Sequence, residues 1–342
     1  MKRLAVRAGF TVHELLVVMV VLAVLLGLLV PAVQMARESA RQTQCRARLS
    51  QFGLAIASFE ARQGSYPMDA GPIGTAPNGV RSSMQYSMQA QLLADLGYPA
   101  EAAQFNFSRI VFLDWIRPIN GPPRKPIPEA FPRVPVFLCP SDHGTLGLNY
   151  RACVGAFPQS RRSTDDDTTL QGAFARGVRV RAADVTDGLS QTAAMSERIQ
   201  SFGDGTSFRP PGDYWNVGAA SLLGLEETTV TAEEMRDVCG SLSGAPPRFT
   251  TMLGTLWHTP SYAHTNYNHV GRPNDPIADC ALGGWTGLIA QSHAGLHAAR
   301  SRHPGGVHVL FLDGSVRLVA DPIDASVWSA YGSIAGHETT GG

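Results

Sequence analysis

The sequence predicts an α+β chain: a long amino-terminal helix crosses a membrane and then packs on an antiparallel, β-rich exported domain. Three observations lead there. Residues 15–33 are apolar apart from Gly27 and Pro31, close to the ~20 residues a helix needs to cross ~30 Å of hydrocarbon. An apolar stripe at helical spacing then continues to residue 59. Near the other end, GGVHVLFLDGSVRLVAD places two apolar runs around Asp313-Gly314, a dipeptide favoured in tight hairpins.

Taken in order, residues 1–8 carry Lys2, Arg3 and Arg7 and no acid, which keeps this end in the cytoplasm. The apolar run is too long for a cleavable secretory signal, whose core is about 7–15 residues. The text after it, VPAVQMARESA, also continues as helix former rather than as a cleavage site. A plain anchor accounts for the length but not for Glu14, since an acid deep in lipid costs roughly 2.5–3.5 kcal/mol. Beyond the span, Cys45, Leu49, Phe52, Ile56 and Phe59 recur at spacings of four and three, an apolar face that needs covering. The simplest cover is the chain's own sheet. Gly64 is the expected stop, so one helix over residues 10–63 would be about 80 Å long.

After residue 64 the text turns to loops and short β-type runs. A second helix is expected over residues 83–96, and short strands in FPRVPVFLCPSD, LNYRACVGAF and QTAAMSE. Thr231 and Glu234 have capping-box spacing, which predicts a helix over residues 231–238 ended by Gly240. Asp313-Gly314 predicts a type I′ turn. Val307, Val309 and Phe311 would share one face of that hairpin and Leu310 and Leu312 the other, so both faces would be buried.

Lys plus Arg and Asp plus Glu both number 28, so net charge gives no footprint for nucleic acid. Hydrophobic residues make up 44% and charged ones 16%, with 35 Gly and 23 Pro, as expected of a turn-rich globular domain. Of five cysteines, Cys45 lies just past the apolar run, while Cys139, Cys153, Cys239 and Cys280 belong to the later part. In an oxidising compartment those four would form two disulfides, with three connectivities open. No CxxC pair occurs, so structural zinc is not expected.

Six histidines fall between residues 258 and 303, at positions 258, 264, 269, 293, 297 and 303. His293 and His297, spaced i, i+4, would reach one metal from a helix, but Ala294 stands where a zinc protease motif has Glu. Polar filler is the expected role of this set. His303 is read as a structural hydrogen-bonding residue beside the chain-turning Pro304, Gly305 and Gly306. Asp165, Asp166 and Asp167 lack the ligand spacing of a calcium loop, and Trp215, Trp257, Trp285 and Trp328 are expected to anchor cores rather than stack on glycans. No nucleophile elbow or phosphate-binding glycine motif occurs. No enzyme, metal or cofactor is expected.

The stretch GFTVHELLVV, residues 9–18, resembles the prepilin processing site of type IV pilins and type II secretion pseudopilins. The resemblance implies cleavage between Gly9 and Phe10 by a prepilin peptidase and N-methylation of Phe10. Residues 1–9 would then be a leader, 10–63 the helix and 64–342 the exported domain, closing in a hairpin at residues 307–319. It further implies that Glu14 pairs with the Phe10 amine of a neighbouring pilin-like subunit, and that Pro31 bends the helix within membrane lipid. His13 departs from the aliphatic residue usual there. At the other end, His303 followed after nine residues by Asp313-Gly314 is similar to the signature of a large bacterial family of prepilin-like proteins whose exported domain has no established function. AVQMARESARQTQCRARLSQFGLAIASFE, VFLCPSD, DVTDGLSQTAAMSER and RPNDPIADC are also in that family's style. The function implied is a non-enzymatic subunit of a filament or secretion pseudopilus, single-pass in a bacterial inner membrane, its exported domain in the periplasm or on the cell surface. Two other roles fit the same architecture: a processed monomer displaying a glycan- or surface-binding domain, and a tethered periplasmic hydrolase.

Overall fold

The computed structural model describes residues 11–69, 74–75, 81–82, 86–105, 133–143, 147–158, 171–174, 179–201, 208–217, 230–242, 249–250, 254, 256–258, 260–262, 264–282 and 294–336. The chain forms two compact units, Met1–Thr43 and Gln44–Gly342. Its first helix, α1, spans Val12–Gln63. In the first unit the apolar side chains from residue 15 to 33 are exposed around the whole helix, and by length and composition α1 is suited to cross a membrane. In the second unit Cys45, Leu49, Phe52, Ala55 and Ile56 are buried and Phe59 packs against their cluster. The boundary thus falls inside the helix, about twenty residues before Gln63, because the stripe belongs to the domain core. Gly64 ends α1 with φ +68° and donates to the Glu60 carbonyl at 2.7 Å, as a left-handed cap requires.

The remaining elements are β1 (Gly74–Thr75), β2 (Arg81–Ser82), α2 (Met88–Gln91), α3 (Pro99–Ala102), β3 (Tyr150–Cys153), β4 (Ala193–Glu197), β5 (Tyr214–Asn216), α4 (Ala232–Ser241), β6 (Phe249–Thr250), β7 (Asn266–Tyr267), β8 (Cys280–Ala281), β9 (Gly295–Leu296), β10 (Gly306–Phe311), β11 (Val316–Ala320) and α5 (Ala325–Tyr331). A five-stranded sheet has the order β11-β10-β4-β3-β7 and a four-stranded sheet the order β6-β5-β8-β9. The expected α+β architecture is present, but the sheets are mixed: β3 with β7 and β5 with β8 run parallel.

The five-stranded sheet separates two apolar clusters. Tyr150, Ala152, Met195 and Leu310 join the stripe of α1, while Cys153, Ala193, Tyr267, Val307, Val309 and Phe311 join Trp328 of α5. This is the period-two division of a strand buried on both sides, and β10 is buried along its whole length. Phe52 stacks on Phe137 with centroids 5.7 Å apart. Each fully buried Leu or Phe of the stripe contributes about 1.5–3 kcal/mol. At Gly53 an added Cβ would lie 3.0 Å from Leu310 Cδ1 and 3.4 Å from the Gly314 Cα, so the bare backbone lets α1 approach the β10–β11 turn.

Several local expectations are corrected. The helix placed over residues 83–96 is the short α2, followed by turns at 92–97. Residues Pro135–Phe137 form a 3-10 turn rather than a strand, since Pro135 has no N–H for a ladder. Helix α4 does start at a Thr231–Glu234 capping box but runs through Gly240 to Ser241. In the C-terminal hairpin only Gly314 has positive φ, +84°. Gly314 N donates to Phe311 O at 3.0 Å and Phe311 N to Ser315 O at 2.9 Å, giving a type I turn with a glycine bulge instead of type I′. Asp313 Oδ1 accepts from Ser315 N at 2.9 Å and Ser315 Oγ at 2.7 Å, so it is a turn residue.

The disulfide expectation also needs correction. Cys45 bridges Cys139 and Cys239 bridges Cys280, while Cys153 is a buried free thiol. Cys45 faces the core from α1 with its Cα 5.4 Å from that of Cys139. Cys153 instead sits inside β3 on the opposite face of the sheet, where burial pushes its thiol up to about 12.

This packing has two measurable consequences for stability. Replacing Cys45 and Cys139 together by Ala opens a link of sequence separation 94, and denaturant melts should show a loss of about 4–5 kcal/mol on loop-entropy grounds. The Gly306→Ala variant should lose about 1–3 kcal/mol in the same assay, because an added Cβ would collide with the Val319 carbonyl.

Candidate functional site

Two places hold the residues singled out in the sequence. At the start of α1, Thr11 and Glu14 form a reciprocal cap: Glu14 Oε2 accepts from Thr11 N at 2.8 Å and from Thr11 Oγ1 at 2.7 Å, and Glu14 N donates back to Thr11 Oγ1 at 3.3 Å. Thr-x-x-Glu is a capping signal in its own right, overshadowed in the sequence by the apolar run beside it. The acid therefore has a local role before any partner is considered, while both bonds to its carboxylate use Oε2. Gly9 and Phe10 lie outside the described residues. Pro31 lies within the unbroken α1, where it has no N–H to offer the Gly27 carbonyl one turn earlier.

The second place is in the domain. His303 is buried just before β10, and its Nε2 is 3.1 Å from Glu197 Oε1, at the end of β4, and 3.6 Å from Cys139 Sγ. The other oxygen of Glu197 accepts from His308 N at 2.8 Å and meets His308 Nδ1 at 3.1 Å. The two imidazoles lie edge to face with centroids 5.2 Å apart. One ligand atom each from Cys45, Cys139, Glu197 and His303 lies within 4.8 Å of all the others, and the four residues are buried. Burial alone would push the Glu197 carboxyl up, but the hydrogen bonds and charges of His303 and His308 outweigh it and hold the group below its ordinary value.

The signature glycines are explained by the backbone. Gly305 has φ +85°, and Gly306 passes so close to Val319 of β11 that no side chain fits. Together they turn the chain from His303 into β10. The His303 ring meets Glu197 and Cys139, neither of which any local pattern announces. Glu197 and His308 carry no motif among their nearest sequence neighbours, and Cys45 stands apart from the other cysteines in the chain.

A second buried polar group lies nearby in sequence. Asp279 pairs with both Arg198 and Arg300, and Arg300 also donates to the carbonyls of Asp275 at 2.6 Å and Ile277 at 2.7 Å. Burial would raise the Asp279 carboxyl, and the two guanidiniums more than reverse that. Of the two histidines spaced i, i+4, His297 follows β9 outside any helix, and His293 lies outside the described residues. His258, His264, His269 and His297 are buried, and burial pushes each ring down to about 3. They are neutral core rings: His269 stacks on Trp328 at 3.8 Å and His297 on Tyr262 at 4.5 Å. Trp257 and Trp328 are buried core anchors and Trp215 packs against the cluster of α4; Trp285 and residues 165–167 lie outside the described residues.

Residues 34–326 match the model of a family described as Protein of unknown function (DUF1559). The chain belongs to that family. The match takes in the stripe of α1, both disulfides and the cluster around His303, and it begins after the apolar run and the Gly9–Phe10 pair. No curated protein and no solved structure matches the chain.

In this family member the Glu197 cluster should be visible in acid. A carboxyl held below its unfolded value contributes stability that is complete above the unfolded pKa, about 4.3, and is lost as pH falls through the folded value. Glu197→Gln should therefore cost about 1.5–3 kcal/mol at neutral pH. Chemical denaturation at a series of pH values should show the gap between the two proteins narrowing below about pH 4.

Proposed function

We propose that the chain is a non-enzymatic pilin- or pseudopilin-like subunit, anchored by α1, cleaved after Gly9 and N-methylated at Phe10. The observation that carries the reading is the helix surface from residue 15 to 33, apolar on every side and exposed throughout. A helix apolar all round belongs in lipid or in the middle of a bundle, and α1 serves in turn as membrane anchor and as assembly element. Glu14 stands at the edge of that surface, its described bonds confined to Oε2. The second oxygen is the one to receive a neighbouring subunit's Phe10 amine, two opposite charges cancelling where either alone is expensive. The signature at His303 and Asp313-Gly314 supports the same reading by fixing the end of an exported domain of the resembled kind. On this reading the partners are a prepilin peptidase, further pilin-like subunits and membrane lipid, and the exported domain faces the periplasm or cell surface of a bacterium.

Mass spectrometry of the native chain tests the processing step: the amino terminus should be an N-methylated Phe10, and a chain still starting at Met1 would refute it. Glu14→Ala should still be cleaved yet disappear from sheared filament or pseudopilus fractions. Unchanged assembly in that variant would remove the role given to the acid and favour a processed monomer instead.

A further inference from the structure

We propose that, once the Cys45–Cys139 bridge is reduced, Cys45 Sγ, Cys139 Sγ, His303 Nε2 and Glu197 Oε1 bind one zinc ion. Each donor is of a type zinc takes, and two thiolates, an imidazole and a carboxylate complete a tetrahedral set. Zinc–sulfur and zinc–nitrogen bonds of about 2.3 and 2.0 Å place the donors of such a set about 3.3–3.8 Å apart. His303 Nε2 already lies 3.6 Å from Cys139 Sγ and 3.1 Å from Glu197 Oε1, and the four donors fall within 4.8 Å of one another. Small movements that open the sulfur pair make room for the ion. His308 stays on the second oxygen of Glu197 through its N and Nδ1, the outer-shell bond that orients a ligating carboxylate.

The surroundings of the bridge point the same way. Cys45 and Cys139 belong to the apolar cluster under α1, where a purely structural disulfide needs no polar neighbour. Here it abuts a buried carboxylate and imidazole that reach it from β4 and from the start of β10. The ligands come from four distant points of the chain, so no short motif advertises them.

A dithiol supplies two electrons and two protons, the Cys45–Cys139 bond breaks, and the dithiol closes into its own disulfide. Zinc then forms two Zn–S bonds and releases the two thiol protons to solvent. His303 binds through an unprotonated Nε2, with its remaining proton on Nδ1, and Glu197 binds as the carboxylate. The oxidised chain keeps the covalent bridge and takes no ion at this place.

The test uses the full chain in detergent micelles, carrying Cys239→Ser and Cys280→Ser so that one bridge remains. It is titrated with Co²⁺ before and after reduction with dithiothreitol and anaerobic desalting, with circular dichroism reporting the fold. The expected result is one equivalent of cobalt in the reduced chain, with thiolate-to-cobalt charge-transfer absorption that added Zn²⁺ abolishes, and none in the oxidised chain. His308→Gln should weaken binding by about 10–100-fold, and His303→Ala should alter the ligand-field bands. Should the double serine variant fail to fold, the wild-type chain is titrated beside Cys45→Ser, which should lose the signal of this site. A folded, reduced chain that takes up no cobalt overturns the proposal, as does uptake unchanged by Cys45→Ser or His303→Ala.

Discussion

Apolar side chains are exposed all around α1 from residue 15 to 33, yet from Cys45 to Phe59 one side of the helix is buried and Leu54 lies off it. That change of pattern along one continuous helix governs how the rest of the chain is arranged. All-round apolarity suits an environment that offers no hydrogen bonds in any direction. A single stripe suits a helix with water on one flank and a sheet on the other. The domain therefore begins inside the helix, and β10, β4 and β3 have to bring Leu310, Met195 and Tyr150 to the stripe. The bare backbone of Gly53 sets how near the C-terminal hairpin may come.

The end of β4 and the residue after it carry the two polar groups that organise the rest of the interior. Glu197 closes it, held by His303 and His308, and Arg198 comes directly after, paired with Asp279. Adjacent residues of an extended chain point to opposite sides, so one dipeptide fixes two separate places: the start of β10 and the segment leading into β8. Buried charges of this kind gain little net stability over well-packed apolar groups, but removing one partner leaves the other stranded. Their value here is in register. A one-residue slip of β4 would exchange the carboxylate for the guanidinium and leave both without their partners.

What was legible in the sequence was what is local and periodic. The four-three spacing of Cys45 to Phe59, the stop at Gly64, the Thr231–Glu234 cap and the alternation of Val307, Val309 and Phe311 each depend on neighbours within a turn or two, and each is seen in the structure. The turn type at Asp313-Gly314 is not decided by the dipeptide, which suits both a two-residue loop and a type I turn with a glycine bulge. Parallel pairing of Ala152 with Asn266 and of Trp215 with Cys280 involves residues far apart in the chain, and nothing in either strand alone announces its partner. The same holds for the site: Glu197 sits in an AAMSE strand without a motif, whereas the helical phase of Cys45 turns it inward with Leu49 and Phe52. The cap made by Thr11 is legible as Thr-x-x-Glu, a local pattern that the apolar run beside it overshadows.

The bridge from Cys45 has a mechanical meaning. It enters the domain two residues after the boundary at Thr43, ahead of every other buried residue of the stripe. Tension drawn along the helix from its amino end meets that covalent bond ahead of the buried residues from Leu49 to Ile56. The load passes through Cys139 into the body of the domain, and the stripe behind it is spared from peeling one turn at a time. With that bond closed, the grip of the domain on its stalk is set by bond strength rather than by the few kcal/mol of packing that would otherwise yield first.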